Sequence, residues 1–282
     1  MKFYDLFCGI GGFRIGMEKN GHECVGSCEI DEQARQVYTK NFGCEPEQRD
    51  ATKLNPKELP DFDCLCAGFP CQSFSIAGKH GGFEDTRGTL FFEIIRIARE
   101  RKPSILFLEN VKGLLSHNKG QTFETILKAL DELGYWYEWQ VINSKNFGVP
   151  QDRERVYIIG HLAGTSPRKI LPIRRGIRDV QEKDETSLIH TKRTKYVDGS
   201  QGMRVYGTDG ASTTITAHGG GQGAKTGLYM DKGRIRRLTP LECERLQGFP
   251  DNFTNGYPDT ARLRMIGNAV TTNVVQHIGG LF

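Results

Sequence analysis

The stretch "DLFCGIGGFRIGME" occupies residues 5 to 18. An apolar run, Phe3–Phe7, ends inside it, Gly9, Gly11 and Gly12 follow, and an amphipathic stretch begins at once. Strand, glycine turn and helix are the opening of a doubly wound α/β sheet. Such folds hold ligands at the carboxyl ends of their strands, where glycine lets the backbone come close. The next apolar run, Glu23–Glu29, also ends in an acid, the place from which a carboxylate takes ribose hydroxyls. The glycines miss the full dinucleotide spacing, so a smaller nucleoside cofactor fits this turn at least as well as a nicotinamide dinucleotide. Glycine turns also serve purely structural ends, and the rest of the chain has to decide.

Outward from that turn, strands and helices alternate through the first 160 or so residues. The strands are expected at Phe3–Phe7, Glu23–Glu29, Cys64–Gly68, Ile105–Glu109, Tyr135–Ser144 and Arg155–His161, and the helices at Gly12–Asn20, Asp31–Phe42, Gly88–Lys102 and Gln121–Leu133. Alternation of this kind predicts a mostly parallel sheet with helices on both faces. From about Ser166 the character changes: residues 199 to 233 hold 10 glycines, too many for a regular helix. A second, smaller domain is therefore expected over 166–261, beside a first domain of residues 1–165 that is completed by residues 262–282. Thr239-Pro240-Leu241-Glu242 has the signature of a helix start, and Asn268 to Ile278 reads as one terminal helix.

With 282 residues, 37% of them hydrophobic, the chain can bury a real core. No apolar run approaches the ~20 residues that span a bilayer, and Asp5 interrupts any signal-peptide layout, so a soluble cytoplasmic protein is expected. The eight cysteines (Cys8, Cys24, Cys28, Cys44, Cys64, Cys66, Cys71 and Cys243) include no Cys-x-x-Cys pair; free thiols are expected, and no metal site. Between Ser166 and Ile235 there are 13 Lys and Arg against 7 Asp and Glu, a net of +6, while the remainder of the chain nets −2. One basic segment on a nearly neutral protein suits a polyanionic partner, though a solvated face accounts for the charge equally well.

Three further sites sit at strand ends. In "GFPCQSFS", residues 68 to 75, Cys71 follows a proline at the tip of an apolar strand. A thiol presented in this way is useful as a thiolate nucleophile. Ile105–Leu108 ends in Glu109, which in a parallel sheet opens on the same edge; desolvation there would raise its pKa and keep it a hydrogen-bond donor. "QDRERVYIIG" sets Arg153 and Arg155 two residues apart ahead of another strand, pointing the same way in extended chain. Singly, these residues read as a core thiol, a capping acid and a surface pair. Their joint occurrence at strand ends is harder to dismiss.

Taken in order, "DLFCGIGGFRIG", "GFPCQSFS", "GKHGGFEDTRGTLFFEIIRI", "ENV", "QDRERVYIIG", "RRLTPLECERLQGFPDNF" and "GNAV" resemble the motifs of the DNA cytosine-5 methyltransferases of bacterial restriction–modification systems, most closely those that target GCGC. The resemblance covers nearly the whole chain. It implies a Rossmann-like S-adenosylmethionine-dependent methyltransferase sheet with a smaller glycine-rich target-recognition domain. It further implies that Cys71 adds to carbon 6 of a cytosine flipped out of double-stranded DNA, with Glu109 at ring nitrogen 3 and the exocyclic amine, and Arg155 with Arg153 at the carbon 2 oxygen. Around S-adenosylmethionine it places Phe7, Gly9, Gly11, Glu29 (ribose), Ile30 (adenine face), Asp50 (adenine amine), Pro70, Leu90, Asn268 and Val270. Against the DNA it places Gln72, Ser75, Arg87, Gln201, Arg204, Thr214, His218 and Gly220. Gln201 would fill the gap left by the flipped base, and Arg204 would read a guanine bidentately. A monomer acting beside a separate cognate restriction endonuclease is the expected assembly. Three alternatives remain at this stage: a tRNA cytosine-5 methyltransferase with the same motifs, a non-catalytic DNA-binding relative, and a nicotinamide-dependent oxidoreductase. The last rests on the glycine turn alone.

Overall fold

The computed structural model describes residues 1–69, 90–165, 169–173, 205–208, 210–217 and 227–282. Strands β1 (Lys2–Leu6), β2 (Glu23–Cys28), β3 (Cys64–Gly68), β4 (Ile105–Val111), β5 (Tyr135–Asn143) and β6 (Glu154–Leu162) form one sheet in the order β2-β1-β3-β4-β6-β5. β1 to β4 are parallel, whereas β6 runs antiparallel to both β4 and β5. Leu65, Cys66 and Ala67 of β3 and Leu106, Phe107 and Leu108 of β4 are all buried. Such unbroken apolar runs are what strands covered on both faces require.

The sheet is mostly parallel, as expected, and ends in an antiparallel hairpin. The connection from β5 to β6 spans only residues 144–153, and a parallel return needs a crossover of about a dozen residues or more. The consequence is functional. Because β6 runs backwards, its first residues arrive at the edge where β1, β3 and β4 end.

Helices α1 (Gly12–Glu18), α2 (Glu32–Phe42), α3 (Leu90–Arg101) and α4 (Gln121–Glu132) alternate with the strands along the chain. Asp31 caps α2 by accepting the Ala34 N–H at 3.0 Å, and Gly43, in the left-handed region, ends it. In α4, Phe123, Ile126, Ala129 and Leu130 recur at helical spacing and are buried against the sheet. A small second sheet joins β7 (Val205–Tyr206), β8 (Leu228–Asp231) and β9 (Arg234–Arg236) in that order. Helix α5 (Pro240–Leu246) starts at Thr239 with the expected capping box. Its Cys243 and Leu246 share a core with Ala34 and Val37 of α2 and with Phe249 and Phe253. No helix among the described residues is long and apolar enough to cross a membrane.

The helix expected over Asn268 to Ile278 begins later, as α7 (Thr272–Gly279), because the preceding α6 (Asp259–Asn268) ends at an extended Ala269. Tertiary bonds explain the break: the Ala269 carbonyl accepts from Arg153 Nη2 at 2.9 Å and from Gln247 Nε2 at 3.1 Å. Helix α7 then packs on α1 so closely that a Cβ on Gly16 would lie 2.6 Å from Val275 Cβ.

Candidate active site

The sheet order places a switch point between β1 and β3, since the chain leaves β1 toward β2 on one side and β3 lies on the other. A crevice is expected there, and a cavity of about 540 Å³ opens there, lined by the residues that follow β1, β2, β3 and β4.

The β1 turn makes one wall. Phe7, Gly9 and Gly11 all have positive φ, 60°, 55° and 90°. At Gly11 a side chain is barred twice over, because its Cβ would also lie 2.3 Å from the Phe42 ring. The turn delivers the Gly9 N–H to Glu29 Oε2 at 2.8 Å, while Glu29 Oε1 takes the Asp31 N–H at 2.7 Å. Each carboxylate oxygen therefore keeps a lone pair for a ligand. Burial raises the Glu29 pKa, and the two backbone donors oppose that rise.

Ile30 next to it is 70% exposed, an apolar side chain left at the rim. Asp50 also lines the cavity; its Oδ1 is engaged by the Thr52 N–H and hydroxyl, bonds that hold its pKa below the usual carboxylate range. Leu90, Asn268 and Val270 complete the lining. A Cβ on Gly12 would come within 2.7 Å of Val270 Cγ2, so that wall packs without slack. A hydroxyl-binding acid, an exposed apolar rim residue and an acid beyond it suit the ribose, base face and exocyclic amine of an adenosine. The residues present fit the nucleoside cofactor expected from the sequence.

The floor is the carboxyl end of β4. Glu109 and Arg155 lie diagonally across the β4–β6 ladder, in which Glu109 faces Tyr157 and Val111 faces Arg155. Diagonal neighbours on one face are within reach of long side chains, and Arg155 Nε sits 3.2 Å from Glu109 Oε1 with both side chains nearly buried. Desolvation pushes the Glu109 carboxyl above its usual range, and Arg155 and Arg153 pull it back. The expectation of an acid raised by burial at this strand end agrees with that balance.

Arg153 is 2% exposed, and its guanidinium donates to three carbonyls, those of Ile215 (2.8 Å), Gly267 (3.2 Å) and Ala269 (2.9 Å). Burial and neighbouring Arg155 hold its pKa down to about 9, so it stays charged at neutral pH. Although the two arginines were expected to act together, Arg155 faces the acid while Arg153 braces backbone. Thr214, expected to support backbone near the DNA, donates from Oγ1 to the Asp152 carbonyl at 2.7 Å.

Pro70, Cys71, Gln72, Ser75, Arg87, Gln201, Arg204, His218 and Gly220 lie outside the described residues. Gly68 and Phe69, which lead into that stretch, line the cavity, and a Cβ on Gly68 would lie 3.6 Å from Glu109 Oε2. Sequence reasoning overlooked Asn110, whose Nδ2 donates to the Phe69 carbonyl at 2.8 Å and ties the end of β3 to β4. The "ENV" motif contained the signal, but Asn110 was given no role. It also missed Arg264, which bridges to Asp31 and Gln33 at the cavity rim; nothing in the sequence pairs residues so far apart.

Comparison with known proteins bears on this arrangement directly. The family model described as C-5 cytosine-specific DNA methylase matches residues 1–191 and 172–281. The chain is 42% identical to the Type II methyltransferase M.HhaI of Haemophilus parahaemolyticus, across 99% of this chain and 93% of that protein. It is 40% identical to the Type II methyltransferase M.HpaII of Haemophilus parainfluenzae, across 98% and 87%. Among solved structures, the S. pombe Dnmt2 methyltransferase superposes with a TM-score of 0.75 at 19% identity, covering 98% of this chain and 96% of that one. The Entamoeba histolytica methyltransferase EhMeth does so with 0.71 at 21%, covering 98% and 96%. Those two likenesses speak to the fold, which is the Rossmann-like methyltransferase fold expected from the sequence. Membership of this family implies S-adenosylmethionine as the methyl donor. With a family model along the whole chain and curated relatives at about 40% identity, this chain belongs to the C-5 cytosine-specific DNA methylases, as a DNA methyltransferase of restriction–modification type.

Proposed function

We propose that the protein methylates carbon 5 of one cytosine, flipped out of a short double-stranded DNA site, through a covalent adduct between Cys71 Sγ and carbon 6. The ring cannot be reached inside a duplex, which is why the base leaves the stack. The observation that carries the proposal is the Glu109–Arg155 pair on the cavity floor, beside the Gly68 that leads toward Cys71.

Carbon 5 of cytosine is a poor nucleophile. When the Cys71 thiolate bonds to carbon 6, the carbon 5–carbon 6 double bond opens, electron density moves toward nitrogen 3, and carbon 5 becomes enamine-like. A protonated Glu109 donates to nitrogen 3 and accepts from the exocyclic amine, which stabilises that charge. Arg155 donates to the carbon 2 oxygen, and Arg153 steadies the neighbouring backbone through the carbonyls of Ile215, Gly267 and Ala269. Bound S-adenosylmethionine would supply an electrophilic methyl group, and Phe7, Gly9, Gly11, Pro70, Leu90, Asn268 and Val270 would hold it, with Glu29 for the ribose, Ile30 for the base face and Asp50 for the amine. After transfer a base removes the carbon 5 proton, and the thiolate leaves carbon 6 as the double bond returns.

The basic, glycine-rich part of residues 166–261 is proposed as the target-recognition domain. Gln72, Ser75 and Arg87 of the first domain and Gln201, Arg204, Thr214, His218 and Gly220 of this one are the proposed DNA contacts, and a CG-containing site, GCGC first, is the proposed target. We further propose a cytoplasmic monomer beside a separately acting cognate endonuclease. The test is bisulfite sequencing of a plasmid carried in cells that express the protein. One short motif with a single protected cytosine is the expected result. A folded, cofactor-binding protein that protects no cytosine would refute the DNA reading in favour of RNA or of a non-catalytic DNA-binding protein.

A further inference from the structure

Behind the arginines lies a buried polar cluster that the chemistry above does not use. Gln151, Gln247, Thr271 and Ser144 are 0%, 0%, 1% and 2% exposed. Gln151 Oε1 accepts the Ile215 N–H at 3.1 Å, and its Nε2 donates to the Leu246 carbonyl at 2.8 Å and to Gln247 Oε1 at 3.1 Å. Gln247 Oε1 also accepts the Thr271 hydroxyl at 2.8 Å, while its Nε2 donates to the carbonyls of Ile266 (3.0 Å) and Ala269 (3.1 Å). The partners leave each amide one orientation: both Nε2 atoms face carbonyls, which accept and cannot donate.

The cluster joins two segments with different tasks. Ile215, in segment 212–217 beside Thr214, has its N–H held by Gln151 and its carbonyl held by Arg153. Ala269, between Asn268 and Val270 on the cavity wall, has its carbonyl held by Arg153 and Gln247. The segments also touch directly, because a Cβ on Gly267 would lie 2.4 Å from the Thr216 carbonyl carbon. Motion of one segment without the other would leave buried donors or acceptors unpaired, which costs about 1–3 kcal/mol for each group.

We infer that Gln151 and Gln247 are positioning residues that couple the cofactor-facing loop 268–270 to the DNA-facing segment 212–217, so that each ligand pre-orders the site of the other. This rests on the proposed function for the identity of the two ligands. Coupling of this kind is reciprocal and amounts to roughly 5–150-fold in affinity.

The experiment is calorimetric titration of S-adenosylhomocysteine into the free protein and into protein saturated with a duplex carrying the site mapped by bisulfite sequencing. The wild type should bind the cofactor product about tenfold more tightly with duplex present. Gln151→Met, which keeps the volume and loses the amide, should bind it alone as before and bring that ratio to one. Gln151→Glu should do the same at greater cost in stability, since a carboxylate cannot donate to the Leu246 carbonyl. Should both variants fail to fold, Thr271→Val removes only the hydroxyl's bonds to Gln247 Oε1 and Ser144 Oγ and should lower the ratio part of the way. Ile126→Val, a core change in α4 far from the cluster, should leave the ratio intact, which separates positioning from mere loss of stability. A wild-type ratio of one, or a folded variant of the cluster with the wild-type ratio, overturns the inference alone. A wild type that binds neither ligand overturns the proposed function with it.

Discussion

Replacing Arg155 with Met should destabilise the protein by an amount that grows with pH, and the structure sets the scale. Met keeps most of the apolar stem of Arg155 and removes the guanidinium 3.2 Å from Glu109. Glu109 is already raised by burial, and Arg155 is first among the charges that pull it down. Without Arg155 its folded pKa rises further, while its unfolded pKa stays in the ordinary carboxylate range. Below that range the acid is neutral in both states, and the variant loses little beyond one hydrogen bond, about 1 kcal/mol. As pH climbs past the unfolded value, the folded state holds a proton that the unfolded state has released, and stability falls by up to about 1.4 kcal/mol per pH unit. The fall ends at the folded pKa, which lies higher in the variant than in the wild type, so the difference between the two widens across the interval. Its ceiling is the roughly 3–5 kcal/mol expected when a buried pair loses one partner. Urea unfolding of both proteins at a series of pH values from 5 to 8 would measure it. A difference that stayed constant over that range would refute the assignment of Glu109 as a desolvated acid held by Arg155.

Two other outcomes are expected. Cys71→Ser should abolish methyl transfer while leaving a filter-binding or fluorescence measure of DNA affinity near the wild-type value; retained turnover would remove Cys71 as the nucleophile. Gly12→Ala places a methyl 2.7 Å from Val270 Cγ2, an overpacking that costs about 1–3 kcal/mol, and should weaken S-adenosylhomocysteine binding by calorimetry through the displaced wall. Unchanged affinity would show that this contact does not shape the cavity.

The linear pattern was most informative where the local physics is short-ranged. The glycine turn after β1 was legible because only glycine tolerates the backbone at Gly11, and the acid at the end of β2 was legible because a carboxylate there follows an apolar run. Strands β3 and β4 announced themselves as unbroken apolar segments, and α5 through its capping box. Glu109 could be ranked as a raised acid from its place at the mouth of a buried strand. The motif order then carried the family, since seven ordered segments are far more specific than any one of them.

Tertiary structure decided what depends on chain reversals and on partners distant in sequence. That β6 runs antiparallel follows from a short connection, yet it is this reversal that brings Arg155 across the ladder to Glu109. The two arginines look equivalent in "QDRER"; burial against Ile215, Gly267 and Ala269 separates them into a brace and an acid's partner. Gly267 stands two residues before the break between α6 and α7 but lies inside α6, so it does not mark the break; the bonds that replace the helical ones come from Arg153 and Gln247. Gln151 and Gln247 are ordinary polar residues in the sequence, and only their complete burial between segments 212–217 and 268–270 fixes the partners of their amides. Residue types and local order thus determined the chemistry available to this protein, and the long-range packing determined which copy of each residue performs it.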